Sequence, residues 1–256
     1  MEPTCRRARQ RILELARSRP VHLGSSLSVV EILYAVLRTA GIDATTVDSP
    51  DRDRLVLSKG HAVWGLYGLL EEVGLKIPTG TLPGHPVEST PVIDGATGAL
   101  GHGLAIGAGL AVGARLDGSP RRTFVVMGDG ELDEGSVWEA ALFAGHQRLN
   151  SLVAVIDRNG LQQEGPTEEI LALEPLREKW EAFGWGVDHV DGHDLDDLMR
   201  SLAVCDGDRP RVLIARTVKG KGVSFMEHDP SWHAGMVDDA QFHEAVAELE
   251  SGRSFA

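Results

Sequence analysis

The sequence predicts an α/β fold in which helices flank a parallel sheet. Two short apolar runs, residues 123–127 and 151–156, are rich in β-branched side chains and predict strands. Between them, apolar residues recur at helical spacing, which predicts a crossover helix. A strand–helix–strand unit of this kind has parallel strands and a right-handed connection. The turns that follow the two strands, GDG and DRNG, are therefore expected at the same edge of the sheet.

Polar side chains on these two turns indicate a cation site. Asp129 and Asn159 fall at the carboxyl ends of neighbouring strands, where folds of this class bind ligands. Their oxygens suit a hard cation such as Mg²⁺, and the backbone carbonyl of Leu161 can supply a third ligand. Because the protein brings only one full negative charge, phosphate oxygens of a bound cofactor are expected to complete the shell. The alternative is that both are ordinary turns.

Length, charge and cysteine content bound the class of protein. A chain of 256 residues can form one large domain, and we expect a single domain over 1–256. The formal charge of −13 argues against nucleic-acid binding, and no apolar run reaches the length of a membrane span. Cys5 and Cys205 form no disulfide framework, which favours a cytoplasmic protein.

Two helices are predicted before the first strand. Residues 6–18 have the pattern of an amphipathic helix that Pro20 stops. Ser28 and Glu31 have the spacing of a capping box, which predicts that a second helix begins there.

A short strand and a functional loop follow. Residues 55–57 predict a buried strand that leads, through a glycine-bearing turn, into a helix over 61–73 capped by Gly74. The stretch 79–98 has no periodicity and contains His85 between Gly and Pro. A long irregular stretch inside a domain of this size favours a functional loop.

Small residues dominate a predicted helix from Gly101 to about Leu116, so we expect it to lie buried against another helix or subunit. Gly101, Gly103 and Gly107 also resemble a loose dinucleotide fingerprint. A genuine fingerprint directly follows a strand, and residues 91–96 make a poor strand. A nicotinamide-dependent oxidoreductase is therefore kept only as an alternative.

The remaining chain continues the alternation of helices and strands. Strands are predicted at 187–190 and 211–216. One helix is predicted over 176–183, a second ends near 202, and a third begins at 238 and is followed by a tail over 252–256. Lys219 and Lys221 alternate with glycines just after the last strand, a pattern that suits a bound anion.

Five of the ten histidines fall in turns or irregular stretches: His22, His61, His85, His102 and His233. A single loop histidine is usually a surface residue. Several of them beside a metal and phosphate site indicate an active site for polyhydroxylated substrates, because neutral imidazoles donate and accept hydrogen bonds and move protons near pH 7.

The segment GDGELDEG followed by IDRNGLQ resembles the thiamine-diphosphate signature. Further stretches, including VHLGSSLS, LVLSKGHA and TVKGKGVSFMEHDPSWH, resemble the amino-terminal, diphosphate-binding half of transketolase from about Arg6 to Leu249. The resemblance implies a thiamine-diphosphate-binding fold with thiamine diphosphate and Mg²⁺ as cofactors, Ca²⁺ or Mn²⁺ being able to replace Mg²⁺. It also implies a transferase that moves a two-carbon ketol unit from a ketose to an aldose.

The resemblance further implies roles for individual residues. The expected metal ligands are Asp129, Asn159 and the carbonyl of Leu161. The expected catalytic residues are His22, His61, His85, His233 and Glu134, the last in communication between paired active sites. The expected cofactor-binding residues are His61, Gly98, Ala99, Leu100, Gly128, Asp129, Gly130, Glu131, Asn159, His233 and Lys219.

The chain also departs from the family pattern. Ala99 and His102 stand where full-length transketolases commonly have Pro and Gln, so the cofactor loop is expected to differ in shape. The family carries the glutamate that activates the cofactor on a pyrimidine-binding domain. We expect that domain on a separate carboxyl-terminal subunit, in an α2β2 heterotetramer that acts on sugars or sugar phosphates.

Two further functions stay open beside the oxidoreductase. In the first, the chain is a subunit of another thiamine-diphosphate enzyme, a 2-oxo acid decarboxylase or synthase. Such an enzyme need not carry the set His22, His61, His85 and His233. The second is that of a non-catalytic homologue that serves as a binding module.

Overall fold

Five parallel strands form one sheet in the computed structural model, which describes residues 1–77, 82–205 and 207–251. The strands are β1 (Arg54–Leu57), β2 (Thr123–Gly128), β3 (Leu152–Arg158), β4 (Gly186–Asp191) and β5 (Arg211–Arg216), in the order β1-β2-β3-β5-β4. All five lie where the sequence predicted strands. β2 and β3 are neighbours, with Gly128 opposite Asp157, so the predicted shared edge is confirmed.

Alternate residues of each strand belong to opposite faces of the sheet, because side chains in a strand have a period of two. Val125 lies beside Ala154 on one face, and Val126 lies beside Val155 on the other. Both faces are buried, which explains why these strands have continuous apolar runs instead of alternating patterns.

Helices cover both faces of the sheet. On one side lie α1 (Pro3–Ala16), α2 (Leu23–Ser28), α3 (Val30–Thr39), α4 (Val63–Leu70), α9 (Leu195–Ala203) and α10 (Asp239–Ser251). On the other side lie α5 (Gly103–Leu116), α6 (Gly135–His146) and α8 (Leu176–Ala182), and a short helix α7 covers Thr167–Ile170. Single turns of 3₁₀ helix cover Gly60–Ala62, Glu71–Val73, Gly130–Asp133 and Pro230–His233.

The predicted capping box at Ser28 and Glu31 was wrong. Helix α2 already begins at Leu23, and the next helix begins at Val30 without a side-chain cap. Glu31 instead forms a buried ion pair with Arg9, with two contacts of 2.6 Å. The spacing of Ser28 and Glu31 does not produce a capping box, because both side chains bond to residues that are distant in sequence, Asp157 and Arg9.

The predicted helix over 61–73 forms as α4 with one turn of 3₁₀ helix at each end, and Gly74 adopts the expected left-handed conformation (φ 78°). Residues 82–102 are irregular, as predicted for most of the loop containing His85. Residues 79–81 of that predicted loop and the predicted tail 252–256 lie outside the described residues.

The glycine-rich helix α5 packs on the sheet through one face. A Cβ atom added at Gly107 would lie 2.3 Å from Cγ2 of Val125 in β2, so only glycine allows this close approach. Two residues further along, Gly109 is exposed and has open space around its Cα. Within this chain the predicted burial is confirmed for one face, and burial of the other face against another subunit stays a prediction.

The two cysteines lie in different environments. Cys5 is buried in α1, whereas Cys205 is exposed. Among the described helices, none is long and apolar enough to cross a membrane.

We predict that Gly107→Ala and Gly109→Ala change the free energy of unfolding in opposite directions. Overpacking against Val125 costs about 1–3 kcal/mol, whereas alanine on the exposed face improves helix propensity by up to about 1 kcal/mol. Urea unfolding of the two variants and the parent chain measures both effects. Equal stabilities of the two variants would contradict the close packing of α5 on β2.

Candidate functional site

The carboxyl ends of four strands meet around one cavity of about 260 Å³. Residues directly after β1, β2, β3 and β5 contribute to its wall. The lining residues are Ser25, Lys59, His61, Leu100, Gly128, Asp129, Gly130, Glu131, Asn159, Leu161, Gln162, Gln163, Glu164, Lys219 and His233. This set contains all three predicted metal ligands and most of the predicted cofactor-binding residues.

The three predicted metal ligands line this same cavity. Asp129 accepts a hydrogen bond from the backbone N–H of Gly160 at 2.6 Å, and Asn159 accepts one from the N–H of Leu161 at 3.1 Å. The guanidinium of Arg158 lies 3.3 Å from Asp129. Asp129 directly follows β2, and the end of β3 with the turn after it therefore holds its carboxylate toward β3.

Burial makes the charged form of Asp129 unfavourable. The side chain is 2% exposed, and burial together with the nearby charge of Asp157 raises the pKa of the Asp129 carboxyl. A divalent cation bound between Asp129, Asn159 and Leu161 would offset both effects. The oxygen donors fit Mg²⁺, which prefers carboxylate and carbonyl ligands and shares its shell with phosphates. The described residues contain no group of three or more His, Cys, Asp or Glu side chains suited to a metal, so an amide and a carbonyl oxygen accompany the one carboxylate of this site.

Lys219 carries the opposite charge in the same cavity. Its ammonium group donates to the carbonyls of Leu161 at 3.2 Å and Gln162 at 2.8 Å. Burial and the nearby charge of Lys59 lower the pKa of Lys219 to about 8. An anion in the cavity would favour the charged amine, as expected for a lysine beside a diphosphate.

Sequence reasoning missed a buried ion pair beneath the cavity. Lys59 and Asp157 are almost fully buried and contact each other directly. The Asp157 carboxylate also accepts hydrogen bonds from the hydroxyls of Ser28 (2.6 Å) and Thr217. Burial alone would raise the pKa of Asp157, but the charge of Lys59 and these hydrogen bonds lower it. The available signal was a lysine and an aspartate, each at the end of a buried strand.

The structure gathers the four histidines predicted to be catalytic. His22 lies at their centre, with ring centroids 5.5 Å from His61, 5.8 Å from His85 and 5.4 Å from His233. His61 and His233 are 5.6 Å apart. We call these four residues the histidine cluster. The fifth turn histidine, His102, is exposed at the beginning of α5 and lies outside the cluster.

Distant parts of the chain build the histidine cluster. Val21 and Gly235 exchange two backbone hydrogen bonds of 2.9 Å, which brings His22 beside His233. His61 follows β1 and its Nε2 lies 3.1 Å from the hydroxyl of Ser25. No local pattern in the sequence predicts these pairings.

Their surroundings favour the neutral form of three imidazoles of the cluster. Burial, the charge of Lys59 and the neighbouring histidines lower the pKa of His61 well below its usual value. Burial and Lys219 lower the pKa of His233 to about 4, and burial with His85 lowers the pKa of His22. Neutral rings can both donate and accept hydrogen bonds, so the cluster suits a substrate with several hydroxyls.

Glu131 lines the cavity, but protein groups occupy its carboxylate. The side chain accepts hydrogen bonds from the hydroxyl of Ser58 and from the backbone N–H groups of Gly101 (2.9 Å) and Gly128 (3.2 Å). This geometry joins the loop before α5 to the ends of β1 and β2. Glu131 therefore supports the cavity wall, and its direct contact with a cofactor stays a prediction.

The remaining predicted residues lie at the rim. Gly98, Ala99 and Leu100 are exposed, and of these only Leu100 lines the cavity. Glu134 is exposed at the beginning of α6, and its side chain packs against Gly101 outside the cavity lining. The predicted roles of Gly98, Ala99 and Glu134 stay predictions.

We predict that the free energy of unfolding of the chain falls as the pH falls below about 6.5, the ordinary histidine pKa. Below that value the unfolded chain gains protons that the half-buried His233, with its pKa of about 4, does not take up. His233→Gln should flatten this dependence between about pH 6.5 and pH 5. Urea unfolding at several pH values measures the slope, with His189→Gln on the exposed face of β4 as the control. An unchanged slope in His233→Gln would contradict the lowered pKa.

Comparisons with known proteins agree with this site. Residues 10–250 match the family model described as transketolase, thiamine diphosphate binding domain. An apulose-4-phosphate transketolase subunit from Phocaeicola vulgatus is 41% identical over 94% of this chain and 90% of its own length. The 6-deoxy-6-sulfo-D-fructose transketolase subunit SqwG from a Clostridium species is 41% identical over 90% of this chain and 88% of its own length.

A solved structure of the Campylobacter jejuni transketolase superposes with a TM-score of 0.88 at 26% identity. That match covers 99% of this chain and 43% of the transketolase chain, so the likeness concerns one part of the larger enzyme. The fold, the cavity and the matched region lead to one conclusion: the chain belongs to the family of transketolase thiamine-diphosphate-binding domains.

Proposed function

We propose that this chain is the amino-terminal subunit of a two-chain transketolase, which transfers a two-carbon ketol unit from a ketose to an aldose. Its family membership supports thiamine diphosphate as the cofactor. The two relatives at 41% identity are both named as transketolase subunits, and the matches span most of their lengths. The expectation of a transferase therefore rests on full-length relatives as well as on the site.

The observation that carries the proposal is the pair of unfavourable buried charges in one cavity. Burial disfavours the negative charge of Asp129 and the positive charge of Lys219. A Mg²⁺ ion with a diphosphate would supply a cation for the first and an anion for the second. The neutral histidine cluster borders the same cavity through His61 and His233.

Each part of the site then has a separate task. Asp129, Asn159 and the Leu161 carbonyl would hold Mg²⁺. Lys219, which donates to that carbonyl at 3.2 Å, would turn to the diphosphate. The chemistry that bound thiamine diphosphate supplies is a nucleophilic carbon able to carry the ketol unit between sugars. The four imidazoles of the histidine cluster bind sugar hydroxyls and move protons, because an imidazole offers both a hydrogen-bond donor and an acceptor.

The subunit designations of the relatives imply a partner chain. We propose that this partner carries the pyrimidine-binding domain and the glutamate that activates the cofactor, and that two copies of each chain form an α2β2 heterotetramer. The exposed stretch Gly98–Leu100, the loop around His85 and the open face of α5 are the surfaces that we expect the assembly to cover. Light scattering of the purified complex measures the stoichiometry.

We also propose that the ketose carries an anionic group. One relative is named for a phosphorylated sugar and another for a sulfonated sugar. Phosphate and sulfonate groups both carry negative charge at neutral pH, so a cationic subsite in the assembled enzyme would bind either. Comparison of phosphorylated and unphosphorylated ketoses tests this.

We predict that ketol transfer requires both chains. The purified chain should be inactive alone, and activity should appear when a carboxyl-terminal transketolase chain, thiamine diphosphate and Mg²⁺ are added. The physical reason is that the activating glutamate belongs to the partner. Coupled assays of ketose cleavage with an aldose acceptor measure the rate.

Other outcomes of this assay would favour different functions. Full turnover of a ketose by the chain alone would contradict the need for a partner. Activity with pyruvate and none with ketose phosphates would favour a 2-oxo acid decarboxylase or synthase. Stabilisation by NAD(P), but not by thiamine diphosphate with Mg²⁺, would favour an oxidoreductase.

We predict that Asp129→Asn weakens Mg²⁺-dependent cofactor binding by about a hundredfold or more, because the substitution removes the only carboxylate among the proposed ligands. Asp117→Asn is the control, since Asp117 is exposed at the end of α5 and does not line the cavity. Thermal shifts of the assembled complex, titrated with Mg²⁺ at fixed thiamine diphosphate, measure the difference. Similar affinities of the two variants would contradict the metal site.

A further inference from the structure

The segment Thr217–Gly220, which leaves the carboxyl end of β5, carries Lys219 across the cavity. Three of its backbone N–H groups are tethered. Thr217 donates to the carbonyl of Arg158 at 3.2 Å, and Gly220 donates to the carbonyl of Gly24 at 3.0 Å. The N–H of Val218, directly before Lys219, donates to Nε2 of His193 at 2.9 Å. Two of these three tethers flank Lys219, and of the three only the tether at Val218 is formed by a side chain.

His193 reaches Val218 because the ends of β4 and β5 approach closely. A Cβ atom added at Gly192 would lie 2.4 Å from Cγ2 of Thr217, so glycine is required there. The backbone N–H of Gly192 donates to the carbonyl of Arg216 at 2.8 Å, and the N–H of His193 donates to the carboxylate of Asp191 at 2.9 Å. These contacts fix the backbone that presents the imidazole.

Hydrogen bonds on both ring nitrogens fix the imidazole itself. Nδ1 lies 3.1 Å from the carboxylate of Glu31, while Nε2 receives the N–H of Val218. A carboxylate only accepts and a backbone N–H only donates, so the proton of the neutral ring belongs on Nδ1. Turning the ring over would leave both partners without a bond.

Glu31 is a rigid anchor for this ring. Its carboxylate makes two contacts of 2.6 Å with the fully buried guanidinium of Arg9. Burial alone would raise the pKa of Glu31, but Arg9 and His193 lower it to about 2, so the carboxylate stays charged across the working pH range. A continuous chain of contacts therefore runs from α1 through α3 and His193 to the segment that carries Lys219.

We propose that His193 is a positioning residue, which sets the place of Lys219 in the cavity by holding the backbone of Val218. This inference rests on the proposed function, in which Lys219 faces the diphosphate. Lys219 also lies 3.3 Å from Nδ1 of His233, so a shift of the segment would disturb both the anion contact and the histidine cluster. His193 does not line the cavity that contains Lys219, and it is not part of the histidine cluster. It acts on them only through Val218.

The surroundings of His193 allow this role to be separated from a purely structural one. The imidazole borders an open cavity of about 620 Å³, lined also by Tyr34, Arg38 and Met199. Substitution at this position therefore leaves the ion pair of Arg9 with Glu31 in place and creates no closed void in the core. The fold should tolerate polar replacements whose effects on Lys219 differ.

Two replacements each keep one of the two hydrogen bonds of the ring and lose the other. In His193→Gln the amide reaches the place of Nε2 and can accept the N–H of Val218, but it loses Glu31. In His193→Asn the amide stays near the place of Nδ1 and can donate to Glu31, but it leaves Val218 without its partner. Because each loses one hydrogen bond of about 1 kcal/mol, their stabilities should be similar.

The experiment compares these variants in the reconstituted complex with thiamine diphosphate and Mg²⁺. We expect His193→Asn to raise the KM for thiamine diphosphate about tenfold and His193→Gln to stay within about twofold of the parent, at similar melting temperatures. His189→Asn and His189→Gln, on the exposed face of β4, are matched controls that should change neither value. A parent-like KM for His193→Asn, or an equal rise in both variants, would overturn the proposal.

A second measurement does not depend on activity. Long-range ¹H–¹⁵N NMR of the parent chain with ¹⁵N-histidine identifies which nitrogen of His193 carries the proton. A proton on Nδ1 with Nε2 unprotonated supports the tether, and a proton on Nε2 overturns it, even where His193→Asn fails to fold. If the reconstituted parent transfers no ketol unit, the proposed function fails, whereas the tautomer still decides whether His193 tethers Val218.

Discussion

The site depends on one buried carboxylate, that of Asp157 at the end of β3. Its oxygens receive the ammonium of Lys59 and the hydroxyls of Ser28 and Thr217. Each partner belongs to a different segment that delivers a functional group: the turn with His61, the helix after His22 and the strand end before Lys219. A buried carboxylate without these partners would be very costly, so the fold is stable only when the three segments converge. The interactions of the Asp157 carboxylate therefore both stabilise the fold and preorganise the site.

The ligand cavity above Asp157 follows the opposite principle. Asp129 and Lys219 are buried in positions where each charge is unfavourable, and a cation with its anion relieves both. Asp157 is closely paired with Lys59. Asp129 and Lys219 have weaker partners, a guanidinium at 3.3 Å and two carbonyls, and a bound cofactor would add the charges that favour their ionised forms. Buried groups with perturbed pKa values of this kind are characteristic of functional sites. The neutral histidine cluster completes the arrangement, because uncharged rings beside Lys59 and Lys219 add no further positive charge to the cavity.

Local patterns in the sequence predicted the parallel sheet, the shared edge of β2 and β3 and the three oxygen ligands, because strand periodicity and glycine turns are encoded within a few residues. Contacts between distant residues escaped prediction. Ser28 and Glu31 have the spacing of a capping box, yet they serve Asp157 and Arg9. Lys59, Asp157 and His193 look ordinary in the sequence and gain their roles from strand order, which places β5 between β3 and β4. The family resemblance supplied the histidine roles that spacing alone leaves open.

The unequal exposure of the two cysteines has a practical consequence. Cys205 is exposed, and its sulfur lies 3.5 Å from the guanidinium of Arg122. Arg122 directly precedes the amino end of β2. Cys5 is buried, and burial raises the pKa of its thiol, so the thiolate is suppressed there. The six residues of β2 separate Cys205 from the cavity by about 20 Å. A thiol-reactive dye would therefore label this chain at one defined point, remote from the chemistry, and would report encounters with other chains by fluorescence without occupying the site.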